Sequence, residues 1–123
     1  MTNLIEVLNE VAASVPGFLS CSVTNRADGT NIGSLSSNSE LDMDAIDAYF
    51  SHMLVKNDAA LTSLGFSDST QGIMTSTETA LFVTRLLPDT GYFWTVATDR
   101  GGNLGLSRAL MQKFEPALRT ALP

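Results

Sequence analysis

Residues 41–65 read LDMDAIDAYFSHMLVKNDAALTSLG, and the pattern predicts one long helix. Asp42 supplies an N-cap oxygen, and Gly65 stands where a left-handed residue ends a helix. Turning the stretch by a helix's angle per residue separates two apolar stripes. The broad one holds Met43, Ile46, Tyr49, Phe50, Met53, Ala60, Leu61 and Leu64, with Leu54 at its edge. The other lies roughly opposite and is small-residued: Ala45, Ala48, His52, Val55 and Ala59 alternate three and four apart, like the a and d positions of a coiled coil. Asp44, Asp47, Ser51, Asp58 and Thr62 fill much of the gap between them. A surface helix of a monomer needs one stripe. Two imply burial on two sides, one against the chain's own core and one against a second surface. The plainer alternative is that exposed alanines simply raise helix propensity.

Upstream of this helix, Leu4, Val7, Leu8 and Val11 share one helical face within residues 3–14, capped by Thr2 or Asn3 and stopped by Val15-Pro16-Gly17. Phe18 to Thr24 then alternates Leu19, Cys21 and Val23 against Ser20, Ser22 and Thr24, the period of a strand. A polar turn ending in Asp28-Gly29 leads to a second strand around Ile32, which predicts a hairpin. Its small side chains would let a helix approach one sheet face closely.

Downstream, strands are expected at residues 71–77, 80–87 and 92–98, the last two almost continuous in apolar and β-favouring residues. Asp99-Arg100-Gly101-Gly102 reads as a flexible loop, and Asn103 as the cap of a final helix running to about Leu122. Pro116 inside that helix predicts a kink or restart, since an undisturbed turn there costs about 3 kcal/mol. Gly105 is expected to let this helix pack closely on the sheet. The order is α-β-β-α-β-β-β-α. Short links force antiparallel pairing, so the expected class is α+β, one five-stranded antiparallel sheet with helices on both faces.

At 123 residues, 44% apolar and 16% charged, the chain suits one globular domain over residues 1–123. No apolar run is long enough to span a membrane and no signal peptide is recognisable, so a cytoplasmic location without membrane insertion is expected. A formal charge of −6 argues against nucleic acid and against anionic membranes. Cys21 is the only cysteine; it reads as a small core residue and rules out an internal disulfide.

Little in the chain points to catalysis. The single histidine, His52, falls on the small stripe, with no nucleophile or second ligand placed beside it. In a twofold seam its protonation would set like charges against each other. Gly101-Gly102-Asn103-Leu104-Gly105 matches neither phosphate-binding pattern of its kind and lacks the following lysine. The acids Glu40, Asp42, Asp44 and Asp47 lack the alternation and glycine of a calcium loop. Arg85 and Arg100 could reach a phosphate, but nothing in the sequence separates them from solvated arginines. The reading is therefore no enzyme, with no catalytic, cofactor or metal residues.

Taken together, the amphipathic first helix, Val15-Pro16-Gly17, the Asp28-Gly29 hairpin, the long helix ending at Leu64-Gly65, three consecutive strands and Asn103-Leu104-Gly105 with Arg108 resemble the roadblock/dynein-light-chain domain family. The likeness covers essentially the whole chain through the order and spacing of its features. It implies the first and last helices on one sheet face and the central helix on the other. It also implies a homodimer formed through the central helices and the third strands, giving Ala45, Ala48, His52, Val55 and Ala59 a seam and placing Ile73, Met74 and Thr75 at the joined edge. Such proteins are mostly non-enzymatic partners of small Ras-like GTPases, and bacterial homodimers can stimulate GTP hydrolysis, so a GTPase-activating or adaptor role is implied. No position matches an arginine finger. Two other readings stay open: a small-ligand sensor with Ser20, Cys21, Ser22 and Thr24 lining a pocket, and a structural subunit of a larger assembly.

Overall fold

The computed structural model describes residues 3–37, 42–67 and 70–123. Thr2, Glu40 and Leu41, invoked above for a cap, the acidic run and the helix start, lie outside these residues. Three helices and five strands follow the expected order: α1 (Leu4–Ser14), β1 (Phe18–Asn25), β2 (Asn31–Ser36), α2 (Met43–Ser63), β3 (Gly72–Ser76), β4 (Ala80–Leu86), β5 (Tyr92–Asp99) and α3 (Leu104–Ala121). The open antiparallel sheet runs β2-β1-β5-β4-β3, so β2 and β3 are its edges.

Local chemistry sets the element ends. The side chain of Asn3 accepts from Glu6 N–H, that of Asp42 from Ala45 N–H and that of Asn103 from Leu106 N–H. At the far end of α2, Gly65 takes φ +87. Its N–H donates to Thr62 C=O at 3.1 Å, and Phe66 N–H donates to Leu61 C=O at 2.9 Å, the paired bonds of a Schellman stop. In the β1–β2 turn Gly29 adopts φ +74, while the Asp28 carboxylate accepts from Thr30 N–H at 2.9 Å.

Alternation divides the sheet into two unlike faces. One meets α1 and α3: Val7, Leu8, Val11, Met111, Phe114 and Leu118 pack with Cys21, Val23, Val83, Trp94 and Val96 into the larger core. Burial pushes the Cys21 thiol up to about 12, which leaves it an inert core residue. The other face meets α2 through a small cluster of Phe50, Leu54 and Phe93, flanked by Ile46, Ile73, Phe82 and Leu86. Beside that cluster the sheet presents buried hydroxyls. Thr84 and Thr95 bond to each other at 2.9 Å, and Ser20, Ser22 and Thr24 are buried.

Three expectations about the chain's end need correction. α3 runs through Pro116 as one helix with no restart. Pro116 and Gln112 are both exposed, so water can serve the carbonyl that the missing N–H leaves free. The glycine pair is not loose: Asp99 accepts from Gly101 N–H at 2.8 Å and from Gly102 N–H at 3.0 Å, and a Cβ on Gly102 would lie 2.3 Å from Thr98 Oγ1. Gly105 is exposed, and a Cβ there would meet only the Asn103 side chain, so it is not a point of close helix–sheet packing.

Candidate interaction surface

The hydroxyl-lined sheet face decides how α2 sits. A helix laid on serines and threonines must offer polar partners or leave buried groups unpaired. Asp47 supplies them: its carboxylate, fully buried, accepts from Ser22 Oγ and from Asn31 Nδ2, each at 2.6 Å. Among the described residues no cation completes this arrangement, and burial holds the carboxyl above its ordinary value against the opposing effect of the hydrogen bonds. About one turn further on, Ser51 Oγ reaches Arg26 C=O at 3.4 Å. Asp58 then pairs with Arg26 in the hairpin and accepts from Thr70 N–H at 2.6 Å in the lead into β3. These bonds hold the Asp58 carboxyl below its ordinary value, the contact with Thr70 contributing most.

The consequence is a rotation of α2 away from the expected orientation. Asp47, Phe50 and Leu54 are its buried residues, so the polar positions 47, 51 and 58 turn toward the hairpin. Of the broad stripe, Phe50 and Leu54 reach the core and Ile46 packs beside them. Tyr49, Met53, Ala60 and Leu64 do not. Tyr49 is 71% and Leu64 73% exposed. The broad stripe therefore does not enter the core as a unit, because the sheet face beneath α2 carries buried hydroxyls that draw Asp47 inward. The alternation of Ser20, Ser22 and Thr24 in β1 was the available signal that a polar helix side would be drawn inward.

The small stripe lies outside. Ala48, His52, Val55 and Ala59 are exposed and Ala45 is partly buried. At the sheet edge, Met74 is exposed while Ile73 and Thr75 are partly buried beneath the α2 side. Eight large hydrophobic residues are exposed among the described residues: Ile5, Tyr49, Met53, Val55, Leu64, Phe66, Met74 and Leu106. All but Ile5 and Leu106 belong to α2, the segment just after it, or β3. Between α2 and β3 runs an open groove of about 490 Å³, lined by Tyr49, His52, Met53, Lys56, Asn57, Ala60 and Ile73. A smaller hollow of about 260 Å³ separates Ala48, His52 and Val55 from the hairpin turn. A concentration of apolar surface on one helix and its neighbouring edge strand is the physical signature of a protein contact.

The residues raised for a ligand pocket do not form one. Ser20, Ser22 and Thr24 face α2, whereas Cys21 points into the core on the opposite side. Among the described residues no group of three or more His, Cys, Asp and Glu could hold a metal ion, and no helix is long and apolar enough to cross a membrane. Arg85 and Arg100 are both engaged: Arg85 with Glu115, and Arg100 Nη1 with Ser76 Oγ at 2.8 Å and Thr77 C=O at 3.2 Å.

No family model matches the sequence, and no curated protein matches it. Solved structures do match the fold. The Roadblock/LC7 domain from Streptomyces avermitilis superposes with a TM-score of 0.84 over 97% of each chain at 14% identity. MglB in a tetrameric arrangement gives 0.83 over 97% of this chain and 90% of its own at 16% identity. MglC from Myxococcus xanthus gives 0.65 over 98% and 100% at 25% identity. The architecture described above is thus the fold of roadblock/LC7 domain proteins, MglB and MglC among them.

Proposed function

We propose that the chain is a non-catalytic, homodimeric interaction module that binds a small Ras-like GTPase and regulates its nucleotide cycle, as an activator of hydrolysis or as an adaptor. The observation that carries this reading is the gathering of exposed apolar side chains along α2 and β3. In the dimer, Ala45, Ala48, His52, Val55 and Ala59 form a seam between two α2 helices. Ile73, Met74 and Thr75 sit where the two β3 edges join into one continuous sheet. Small side chains on the seam permit close helix approach, and edge pairing would satisfy the outward backbone groups of β3. The likeness to MglB, a structure with a tetrameric arrangement, supports self-association. The GTPase follows from the roadblock fold rather than from any single residue here.

Light scattering over a dilution series, from about 100 μM to below 1 μM, tests the dimer. Twice the chain mass at the low end is expected, and Ala48→Glu should shift the protein to a folded monomer. A native protein that stays monomeric at the high end would overturn the seam. The GTPase reading is tested separately, by measuring GTP hydrolysis and nucleotide release by the Ras-like GTPases of the source organism with and without the dimer. A dimer that neither binds any of them nor alters either rate would leave the structural-subunit reading in place.

A further inference from the structure

On the sheet face away from α2, another cavity of about 310 Å³ opens between the edge of α3 and the strand pair β3–β4. Gly72 and Met74 pair across the ladder with Arg85 and Val83, so these four positions share one face. Arg108 closes the rim from α3. The hollow exists because Gly72 has no side chain. A Cβ there would lie 2.7 Å from the Thr84 carbonyl oxygen and 3.6 Å from Arg85 Cγ, leaving the stem of Arg85 uncovered in the native chain.

The two arginines differ in a way that suits binding. Arg85 is fixed: its Nε donates to Glu115 Oε2 at 2.6 Å and its Nη2 to Oε1 at 3.3 Å. Trp94 Nε1 donates to the same Oε2 at 3.2 Å, and Glu115 is only 6% exposed. The carboxylate is therefore fully engaged, while a guanidinium has five donors and Arg85 spends two of them on it. Arg108 is exposed and forms no ion pair among the described residues. One immobilised and one unpaired guanidinium thus line a single cavity on a chain whose formal charge is −6. Val83 and Met74 give the same cavity an apolar wall, and its size falls at the lower end of small-ligand sites, roughly 300–1,000 Å³.

We propose that this cavity binds an organic anion, its phosphate or carboxylate group held by Arg85 and Arg108 and its apolar part resting on Met74 and Val83. The cavity opens on the opposite sheet face from the α2 seam and its binding needs no GTPase, although Met74 in its wall also belongs to the proposed β3 joint. Arg85 brings pre-set geometry and Arg108 adapts to the ligand, so little ordering is lost on binding.

The test is a titration of the full chain with inorganic phosphate and, separately, with glutarate, at constant ionic strength, following the arginine Nε–H signals by NMR. Saturable shifts at Arg85 and Arg108, with Arg100 and Arg119 unmoved, are expected for at least one probe. The probe that saturates at lower concentration identifies the preferred anionic group. Arg108→Gln alters an exposed residue, leaves the fold intact and should weaken that binding about tenfold, the loss of one charge-assisted contact. Arg119→Gln should leave it unchanged. Shifts that grow linearly with either anion and are equal at all four arginines would overturn the site, as would saturation that survives Arg108→Gln undiminished.

Discussion

Asp47 and Asp58 stand on one helix and respond to pH in opposite senses. The fold buries Asp47 with no cation beside it among the described residues, and burial lifts its carboxyl above the ordinary 3.8. Folding then favours the protonated form. The stabilisation this gives is complete below the unfolded value and is lost as pH rises through the raised one. Asp47→Asn removes the charge, so its stability relative to the native protein should improve from pH 4 to pH 7, read as urea midpoints at each pH. A constant difference would mean that the carboxylate is as well solvated inside as outside. Asp58 lies below 3.8, held there by Thr70 and then by Arg26. Its contribution is present above the unfolded value and disappears as pH falls through the lowered one, so the deficit of Asp58→Asn should be visible at neutral pH and close in acid. Neither behaviour was legible in the sequence. Both acids read only as polar residues in the gap between stripes, because their partners Ser22, Asn31, Arg26 and Thr70 come from other parts of the chain.

At the scale of elements, the sequence was most informative where one short stretch decides its own geometry. Asp42 and Asn103 cap as read, and Gly65 ends α2 in the left-handed region. Gly65→Ala has open space for its Cβ, so the expected loss of about 1 kcal/mol comes from the backbone alone. Thermal and urea melts measure it, and an unchanged stability would mean that the last turn of α2 refolds without cost. Facing was harder to read than existence. The 3.6-residue period shows that α2 has apolar positions on more than one side, but which side the sheet accepts depends on residues on β1 and β2. The same limit applies to Arg85. As a lone arginine in a strand it reads as solvated, and only the crossing of α3 over β4 brings Glu115 and Arg108 beside it.

For the whole molecule, the layered order is visible in the sequence because turn residues and short links leave few alternatives. The pairing order that puts β5 at the centre, between β1 and β4, required long-range contacts. That order predicts a gradient of backbone protection. Amides of β1, β4 and β5, each paired on both sides, should exchange slowest in hydrogen–deuterium exchange. The outward amides of β3 should be slow in the native protein and fast in Ala48→Glu if the proposed edge joint exists. Equal rates in the two proteins would count against that joint while leaving the fold untouched.

The two margins of the sheet are also tied by a route that avoids the sheet. The hairpin belongs to the β2 edge and Thr70 leads into the β3 edge, yet both are held by the single carboxylate of Asp58. One oxygen of that carboxylate meets Arg26 and the other accepts from Thr70 N–H. Removing this one side chain would therefore free the β1–β2 turn and the approach to β3 together, at opposite margins of the sheet.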